Sequence, residues 1–164
     1  TVTIRLVSGN LLRSERQTLT NTVNCVGVMG KGLALDFRKA YPDMFEDYVR
    51  RCDARLVKPG HPYVYELPGG RAVCNFPTKQ HWRGNSRLEW IEDGLVRLRT
   101  QLDDWGVRSL ALPPLGCGYG GLDWQDVELV IRRHLADVPI AVDVFVPQGQ
   151  GVDPPDEEQL SLEL

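Results

Sequence analysis

The sequence lacks several features that would assign it to a broad class directly. No apolar run approaches the ~18–20 residues that a membrane helix needs, and the first residues lack the basic start and apolar stretch of a secretory signal. The four cysteines (Cys25, Cys52, Cys74 and Cys117) show no Cys-x-x-Cys spacing, and only three histidines are present. We therefore expect no metal site, no membrane association and a reducing, cytoplasmic location. Because the sequence does not begin with Met, we also expect a processed or truncated chain.

What is present is typical of a single globular domain. The chain has 164 residues, of which 42% are hydrophobic and 25% charged. Its net charge of −3 is unevenly divided, since residues 1–122 carry 17 Lys/Arg against 12 Asp/Glu, and residues 123–164 carry 2 against 10. If the folded surface keeps this asymmetry, an anionic ligand would be attracted to the first part.

Strand patterns alternate with helix patterns along the chain. Strands are predicted at residues 2–7, 19–26, 63–67, 71–76, 109–115 and 140–146, and helices at 30–40, 44–52, 86–105 and 123–137. A capping box Ser86-x-x-Glu89 is predicted at the third helix start and an Asp123 cap at the fourth. The Pro-Gly-Gly at 68–70 predicts a hairpin. These patterns predict a three-layer α/β/α fold with a central mixed sheet, followed by a Gly-, Pro- and acid-rich linker or tail at 148–164.

Two of the loops that follow predicted strands are rich in glycine. The first, at residues 21–34, leads directly into a helix, so its backbone N–H groups can bind an anion. It is not a P-loop, because Gly32 rather than Ser or Thr follows Lys31. The second, at residues 113–123, has four glycines within six residues, which suggests close approach of the backbone to a ligand. It also matches Gly-x-Gly-x-x-Gly, but no acidic residue ends the following strand, so a dinucleotide-binding dehydrogenase remains only a minor alternative.

A third loop carries the chemically active side chains. Lys79 follows a predicted strand and is accompanied by His81, Trp82 and Arg83. A lysine near phosphates and apolar walls can act as an electrophile or a nucleophile once its pKa falls. Trp82 and Arg83 could stack on a base or bind a phosphate, which makes these three residues DNA-facing candidates.

Together the three loops resemble the macrodomain family, over about residues 1–147. The pattern from Asn21 to Ala34 is similar to the branch that contains the terminal ADP-ribose glycohydrolase and the DarG antitoxins. The run Phe76-Pro-Thr-Lys-x-His-Trp-Arg, followed by Ser-Arg-Leu-Glu, is most similar to DarG macrodomains. The resemblance implies an enzyme that removes ADP-ribose from thymidine bases in DNA and so reverses a DarT-like toxin. It implies no cofactor, and the chain would be the catalytic module of a longer antitoxin that contacts the toxin through sequence outside this chain.

The resemblance also implies which residues form the site. Lys79 matches the catalytic lysine of the family, and Asn21 would orient the distal ribose. The residues expected to bind ADP-ribose are Gly9, Asn10, Leu11, Asn24, Val28, Met29, Gly30, Gly32, Leu33, Thr78, Gly116, Cys117, Gly118, Tyr119, Gly120 and Gly121. The expected substrate is ADP-ribosylated single-stranded DNA.

The sequence differs from this branch of the family at one position, and the difference restricts the expected activity. Glycohydrolases that cleave ADP-ribosyl esters on glutamate carry an Asp shortly after Gly-Cys-Gly, whereas the first Asp here is Asp123, the predicted helix cap. This disfavours ester cleavage and is compatible with a nucleobase leaving group. A module that binds ADP-ribose without turnover remains the alternative.

Overall fold

The structure is a computed structural model that describes residues 4–154. These residues form six strands and four helices, with short 3-10 turns at Leu11–Arg13 and Pro68–Gly70. The strands are β1 (Ile4–Val7), β2 (Thr18–Val23), β3 (Tyr63–Glu66), β4 (Ala72–Pro77), β5 (Ser109–Leu112) and β6 (Ala141–Phe145). The helices are α1 (Gly32–Ala40), α2 (Pro42–Asp53), α3 (Leu88–Thr100) and α4 (Trp124–Leu135).

The strands form a single mixed sheet with the order β1-β6-β5-β2-β4-β3. All neighbouring pairs are parallel except β3 and β4, which form the predicted hairpin. The carboxyl ends of β5, β2 and β4 are therefore adjacent at one edge of the sheet. Ligands in open α/β sheets bind beyond this edge, on the loops that follow the strands.

Alternate strand residues contribute to two hydrophobic cores, one on each face of the sheet. Val73 packs in the core that contains Phe37 and Met44 of α1 and α2, and its neighbour Cys74 packs in the core that contains Ile91 and Val127 of α3 and α4. The helices thus form two outer layers, and the predicted three-layer α/β/α architecture is confirmed.

Helix α3 corrects one of the predictions and confirms another. Its cap position is occupied by Arg87, which makes no side-chain cap bond, so the predicted capping box at Ser86 is wrong. The helix also begins at Leu88 and ends at Thr100, shorter than predicted. Its hydrophobic stripe is confirmed, since Ile91, Leu95 and Leu98 are fully buried. The Ser86 hydroxyl is instead buried beneath a neighbouring loop.

The start of α4 and the end of α1 are set by neighbouring residues. The carboxylate of Asp123 accepts a hydrogen bond from the backbone N–H of Gln125 at 2.9 Å, as the predicted cap requires. Ala40 is exposed at the end of α1, and Pro42 starts the next helix two residues later.

Residues 148–154 contain no helix or strand, but they contact the domain. Asp153 accepts a hydrogen bond from the backbone N–H of Leu6 at 2.8 Å, and its own N–H donates to the Leu6 carbonyl at 3.0 Å. The remainder of the predicted linker or tail, residues 155–164, lies outside the described residues, as do residues 1–3.

Candidate active site

The loops after β2, β4 and β5 enclose a cleft of about 480 Å³. These three strands are neighbours in the sheet, which is why loops far apart in the sequence meet here. The first loop supplies Asn24 and Val28, the loop after β4 supplies Thr78 and Lys79, and the loop after β5 supplies Tyr119 and the glycines around it. The two glycine-rich loops therefore face one cleft, with the lysine loop beside them.

Asn24 organises the first glycine-rich loop. Its side-chain Nδ2 donates to the Val28 carbonyl at 2.8 Å, and its Oδ1 accepts from the Val26 N–H at 3.0 Å. The buried Tyr48 hydroxyl also donates to Oδ1 at 2.8 Å. The amide thus holds residues 24–28 in a tight turn against α2, and this turn directs the chain into α1.

Backbone bonds connect the first loop to the lysine loop. The Thr78 N–H donates to the Val23 carbonyl at 3.0 Å, and the Cys25 N–H donates to the Gln80 carbonyl at 3.1 Å. The Cys25 thiol also lies 3.3 Å from the carbonyl oxygen of Lys79. These bonds extend the β2–β4 pairing past the end of the sheet and fix the main chain on both sides of Lys79.

The second glycine-rich loop is folded tightly onto itself. The Leu122 N–H donates to the Gly116 carbonyl at 3.0 Å, and the Ser86 N–H donates to the Gly120 carbonyl at 2.9 Å. Gly116 has a φ of +74°, which favours glycine, and a Cβ there would lie 2.7 Å from Leu122 Cδ1. The loop therefore presents main chain to the cleft at its glycines, and Tyr119 adds a side chain to the lining.

The Lys79 amine is the chemically distinctive group of the cleft. Its Nζ donates to the Trp82 carbonyl at 3.3 Å and lies 6.0 Å from the centroid of the Tyr119 ring. Burial, and secondarily the positive charge of Lys31, lower the pKa of Lys79. A lower pKa increases the fraction of free amine at neutral pH and makes the ammonium a better acid.

The pKa values of two thiols near the cleft are shifted in the opposite direction, upward. Burial, and secondarily Asp123, raise the pKa of Cys117 to about 11. Burial, and secondarily Cys52, raise the pKa of Cys25 to about 12. Both remain neutral thiols at physiological pH, so neither is an activated nucleophile.

An aromatic and cationic stack lies at the rim beside Lys79. The rings of His81 and Trp82 have centroids 5.2 Å apart, and the Arg83 guanidinium lies 4.5 Å from the Trp82 ring centroid. Trp82 is 40% exposed while it also lines the cleft. The rim thus presents a surface on which a flat, apolar group can stack.

The sequence matches the family model of the Macro domain over residues 20–131. This match covers more than half of the chain. The chain belongs to the Macro domain family.

Similarity to individual macrodomain proteins is also high. A DNA ADP-ribosyl glycohydrolase of Thermus aquaticus is 48% identical over 135 residues, which cover 80% of this chain and 38% of that protein. The structure of the macrodomain of Thermus aquaticus DarG is 46% identical, with a TM-score of 0.83, and the match covers 88% of this chain and 98% of that one. The structure of Thermosipho africanus DarTG in complex with ADP-ribose is 34% identical, with a TM-score of 0.87, over 98% of this chain and 45% of that one. This chain thus spans well under half of the full-length relative.

Most of the residues predicted for the macrodomain site line the cleft. These are Asn24, Val28, Gly30, Leu33, Thr78, Lys79, Trp82, Gly116, Gly118, Tyr119 and Gly120. Six lining residues were not predicted, namely Thr22, Val23, Lys31, Ala34, Pro113 and Pro114. The two prolines follow β5 directly, and their position before a glycine cluster is the signal that could have identified them.

The other predicted residues do not line the cleft. They are Gly9, Asn10, Leu11, Asn21, Met29, Gly32, His81, Arg83, Cys117 and Gly121. Asn10 starts the short 3-10 turn, since its side chain accepts from the Leu12 N–H at 3.0 Å. Asn21 is fully buried in β2, where its Nδ2 donates to Asn75 Oδ1 at 3.2 Å and lies 3.7 Å from Met29 Sδ.

Residues 4–154 contain neither a metal-binding cluster nor a membrane-spanning helix. No three His, Cys, Asp or Glu side chains in this part of the macrodomain form a group that could hold a metal ion. None of its helices is both long and apolar enough to cross a membrane.

Proposed function

We propose that this macrodomain is a DNA ADP-ribosyl glycohydrolase that removes ADP-ribose from thymidine bases. The observation that carries the proposal is the Lys79 amine, whose pKa is lowered and which lies in a cleft between two glycine-rich loops. The 48% identical relative from Thermus aquaticus bears the same activity in its name, which supports the proposal.

The loops suit a diphosphate that is bound without metal. The first loop leads into the N-terminus of α1, and the second has a main chain free of bulky side chains at Gly116, Gly118 and Gly120. Backbone N–H groups at such positions bind phosphate oxygens, aided by the helix dipole. The diphosphate of ADP-ribose would span these two loops, and the distal ribose would then lie toward Lys79.

The chemistry is hydrolysis of an N-glycosidic bond. The bond between the anomeric carbon of the distal ribose and the thymine nitrogen breaks, water supplies a hydroxyl to that carbon, and the base nitrogen takes up a proton. Lys79 has two possible roles in this step. Its ammonium can protonate or stabilise the departing base, or its free amine can attack the anomeric carbon before water releases the sugar.

Asn21 takes an indirect part in this proposal. Its buried side chain contacts Met29 and Asn75 rather than the open cleft. Asn21 is therefore a positioning residue. It orients the distal ribose indirectly, through the buried residues that it contacts.

The DNA strand would leave the cleft past His81, Trp82 and Arg83. Bases stack on aromatic side chains when they are unpaired, so single-stranded DNA fits this rim better than a duplex. The net charge of −3 gives little attraction to unmodified DNA. Affinity should therefore depend mainly on the ADP-ribose group.

The wider role is that of an antitoxin against a DarT-like toxin, in the cytoplasm. The relative in complex with ADP-ribose is a DarTG protein, which supports the pairing. Contacts with the toxin are proposed to involve sequence outside this chain. The four cysteines, all of which lie within the described residues, are unpaired thiols, as expected in a reducing compartment.

The test is release of ADP-ribose from an ADP-ribosylated thymidine oligonucleotide. Lys79→Ala should slow release by roughly 10²- to 10⁴-fold, the usual loss for a general acid–base group. Lys39→Ala is the matched control, because Lys39 is an exposed lysine at the end of α1. Equal release by wild type and Lys79→Ala would reject the catalytic role.

Calorimetry with free ADP-ribose separates the enzyme from the alternative reader module. Tight binding by wild type, with no turnover on DNA or protein linkages, would identify a reader. Binding that survives in Lys79→Ala, together with lost turnover, would support the enzyme.

A further inference from the structure

The ring of Tyr119 connects all three loops of the cleft. It projects from the second glycine-rich loop and is 62% exposed. Its Cε2 atom nevertheless lies 3.1 Å from the position that a Cβ on Gly32 would occupy, so the ring extends over the first loop. Gly32 has a φ of +62°, and the absence of a side chain there leaves space for the ring.

Two lysines from different loops approach this ring. Lys31 Nζ lies 4.2 Å from the ring centroid, within cation–π distance, and Lys79 Nζ lies 6.0 Å from it. The two nitrogens are therefore within about 10 Å of each other. Both lysines line the cleft.

Nothing in the described part of the chain neutralises this pair. Within residues 4–154, neither Lys31 nor Lys79 forms an ion pair with a carboxylate. The Lys79 loop also carries His81 and Arg83, both stacked at Trp82, and the Tyr119 ring of the second loop lies 6.0 Å from Lys79 Nζ. Lys31 is thus a second uncompensated cation at the mouth of the cleft.

We propose that Lys31 is a positioning residue for the reaction at Lys79: the ring of Tyr119 holds Lys31 at the mouth of the cleft, where its positive charge acts on the Lys79 amine. The inference rests on the proposed function, because it concerns the same reaction. Like charges at this distance disfavour the ammonium form of Lys79. Lys31 would thereby increase the supply of free amine or strengthen the acid, whichever form of Lys79 acts.

The first measurement follows the titration of the Lys79 amine directly and does not require turnover. The intact chain is labelled with trace acetic anhydride across pH 7–11, and the extent of acetylation at Lys79 is quantified by mass spectrometry. Lys31→Met should move the midpoint of labelling to higher pH by about 0.3 to 1 pH unit, the range for charges ~10 Å apart. Lys31→Arg keeps the charge and should keep the midpoint. Tyr119→Leu should move it upward, and Tyr119→Phe, which retains the ring, should not.

Lys39→Met provides the matched control for loss of one positive charge. Lys39 is exposed at the end of α1 and does not line the cleft, so its removal should leave the midpoint at Lys79 unchanged. A midpoint in Lys31→Met equal to that of wild type would overturn the proposal.

The second measurement is the pH profile of ADP-ribose release from the modified oligonucleotide in single turnover. The part of this profile that reports titration of Lys79 should shift to higher pH in Lys31→Met, by the same amount as the labelling midpoint. If wild type releases nothing at any pH, the proposed function fails, while the labelling still tests the coupling of the two lysines. If release occurs and its pH profile is the same in Lys31→Met, the inference fails and the proposed function stands.

Discussion

Ser86 supports the second glycine-rich loop from beneath. Its N–H donates to the Gly120 carbonyl at 2.9 Å, and its side chain is buried against the same loop. The hydroxyl has no hydrogen-bond partner among the described residues. The main chain at Gly120 therefore packs directly against Ser86, which leaves no room for a side chain at position 120.

Gly120→Ala should disrupt this loop. A Cβ at this position would clash with Ser86 Oγ and with the Gly116 carbonyl oxygen, so the main chain must move. We expect a loss of about 1–3 kcal/mol in the free energy of unfolding, as for other overpacked sites, and at least tenfold weaker binding of ADP-ribose in calorimetry.

Gly118→Ala is the control for that variant. Gly118 belongs to the same loop, but a Cβ there meets no atom within 4 Å and its φ is not positive. Its unfolding midpoint in urea should stay close to that of wild type. Equal destabilisation by the two substitutions would refute the steric explanation.

Asn24 and Tyr48 should show coupled effects on stability. Asn24→Ala removes the bonds to Val28 and Val26 and leaves the buried Tyr48 hydroxyl with one partner fewer. We expect a loss of about 2–4 kcal/mol for Asn24→Ala and about 1–2 kcal/mol for Tyr48→Phe, measured by urea unfolding. The double variant should lose less than the sum of the two, by about 1 kcal/mol. Strict additivity would show that the two side chains act independently.

Trp82 should contribute to recognition of the DNA strand. Because a stacked base is worth about 1–3 kcal/mol, Trp82→Ala should raise the KM for an ADP-ribosylated oligonucleotide by roughly 5- to 150-fold. The KM for an ADP-ribosylated mononucleoside should rise much less, since that substrate lacks flanking bases. Equal increases for the two substrates would place Trp82 in the ADP-ribose pocket alone.

Local patterns in the sequence predicted the elements that depend on neighbouring residues. The Asp123 cap, the hairpin around 68–70 and the stripe through Ile91, Leu95 and Leu98 were confirmed, because each follows from spacing along one segment. The capping box at Ser86 failed for the complementary reason. The chain there is held by the Gly120 carbonyl of another loop, which no pattern within the helix reveals.

The site was only partly predictable. The two glycine-rich loops and Lys79 were identified from residue types that bind phosphate or transfer protons. Lys31 lies inside one of these loops, but its approach to Tyr119 joins positions 88 residues apart in the sequence. The buried position of Asn21 was equally hidden, because it depends on which face of β2 packs against Met29 and Asn75.

From the sequence alone, the resemblance of its motifs to known macrodomains indicated the family. Composition and short-range spacing determined the α/β fold class and the presence of loops able to bind an anion. The order of strands in the sheet was decided only by tertiary structure, because it depends on which hydrophobic faces are buried together. That order places β5, β2 and β4 side by side. Their adjacency brings Lys79, Tyr119 and Lys31 to one cleft, where burial and like charge change the chemistry of an otherwise ordinary amine.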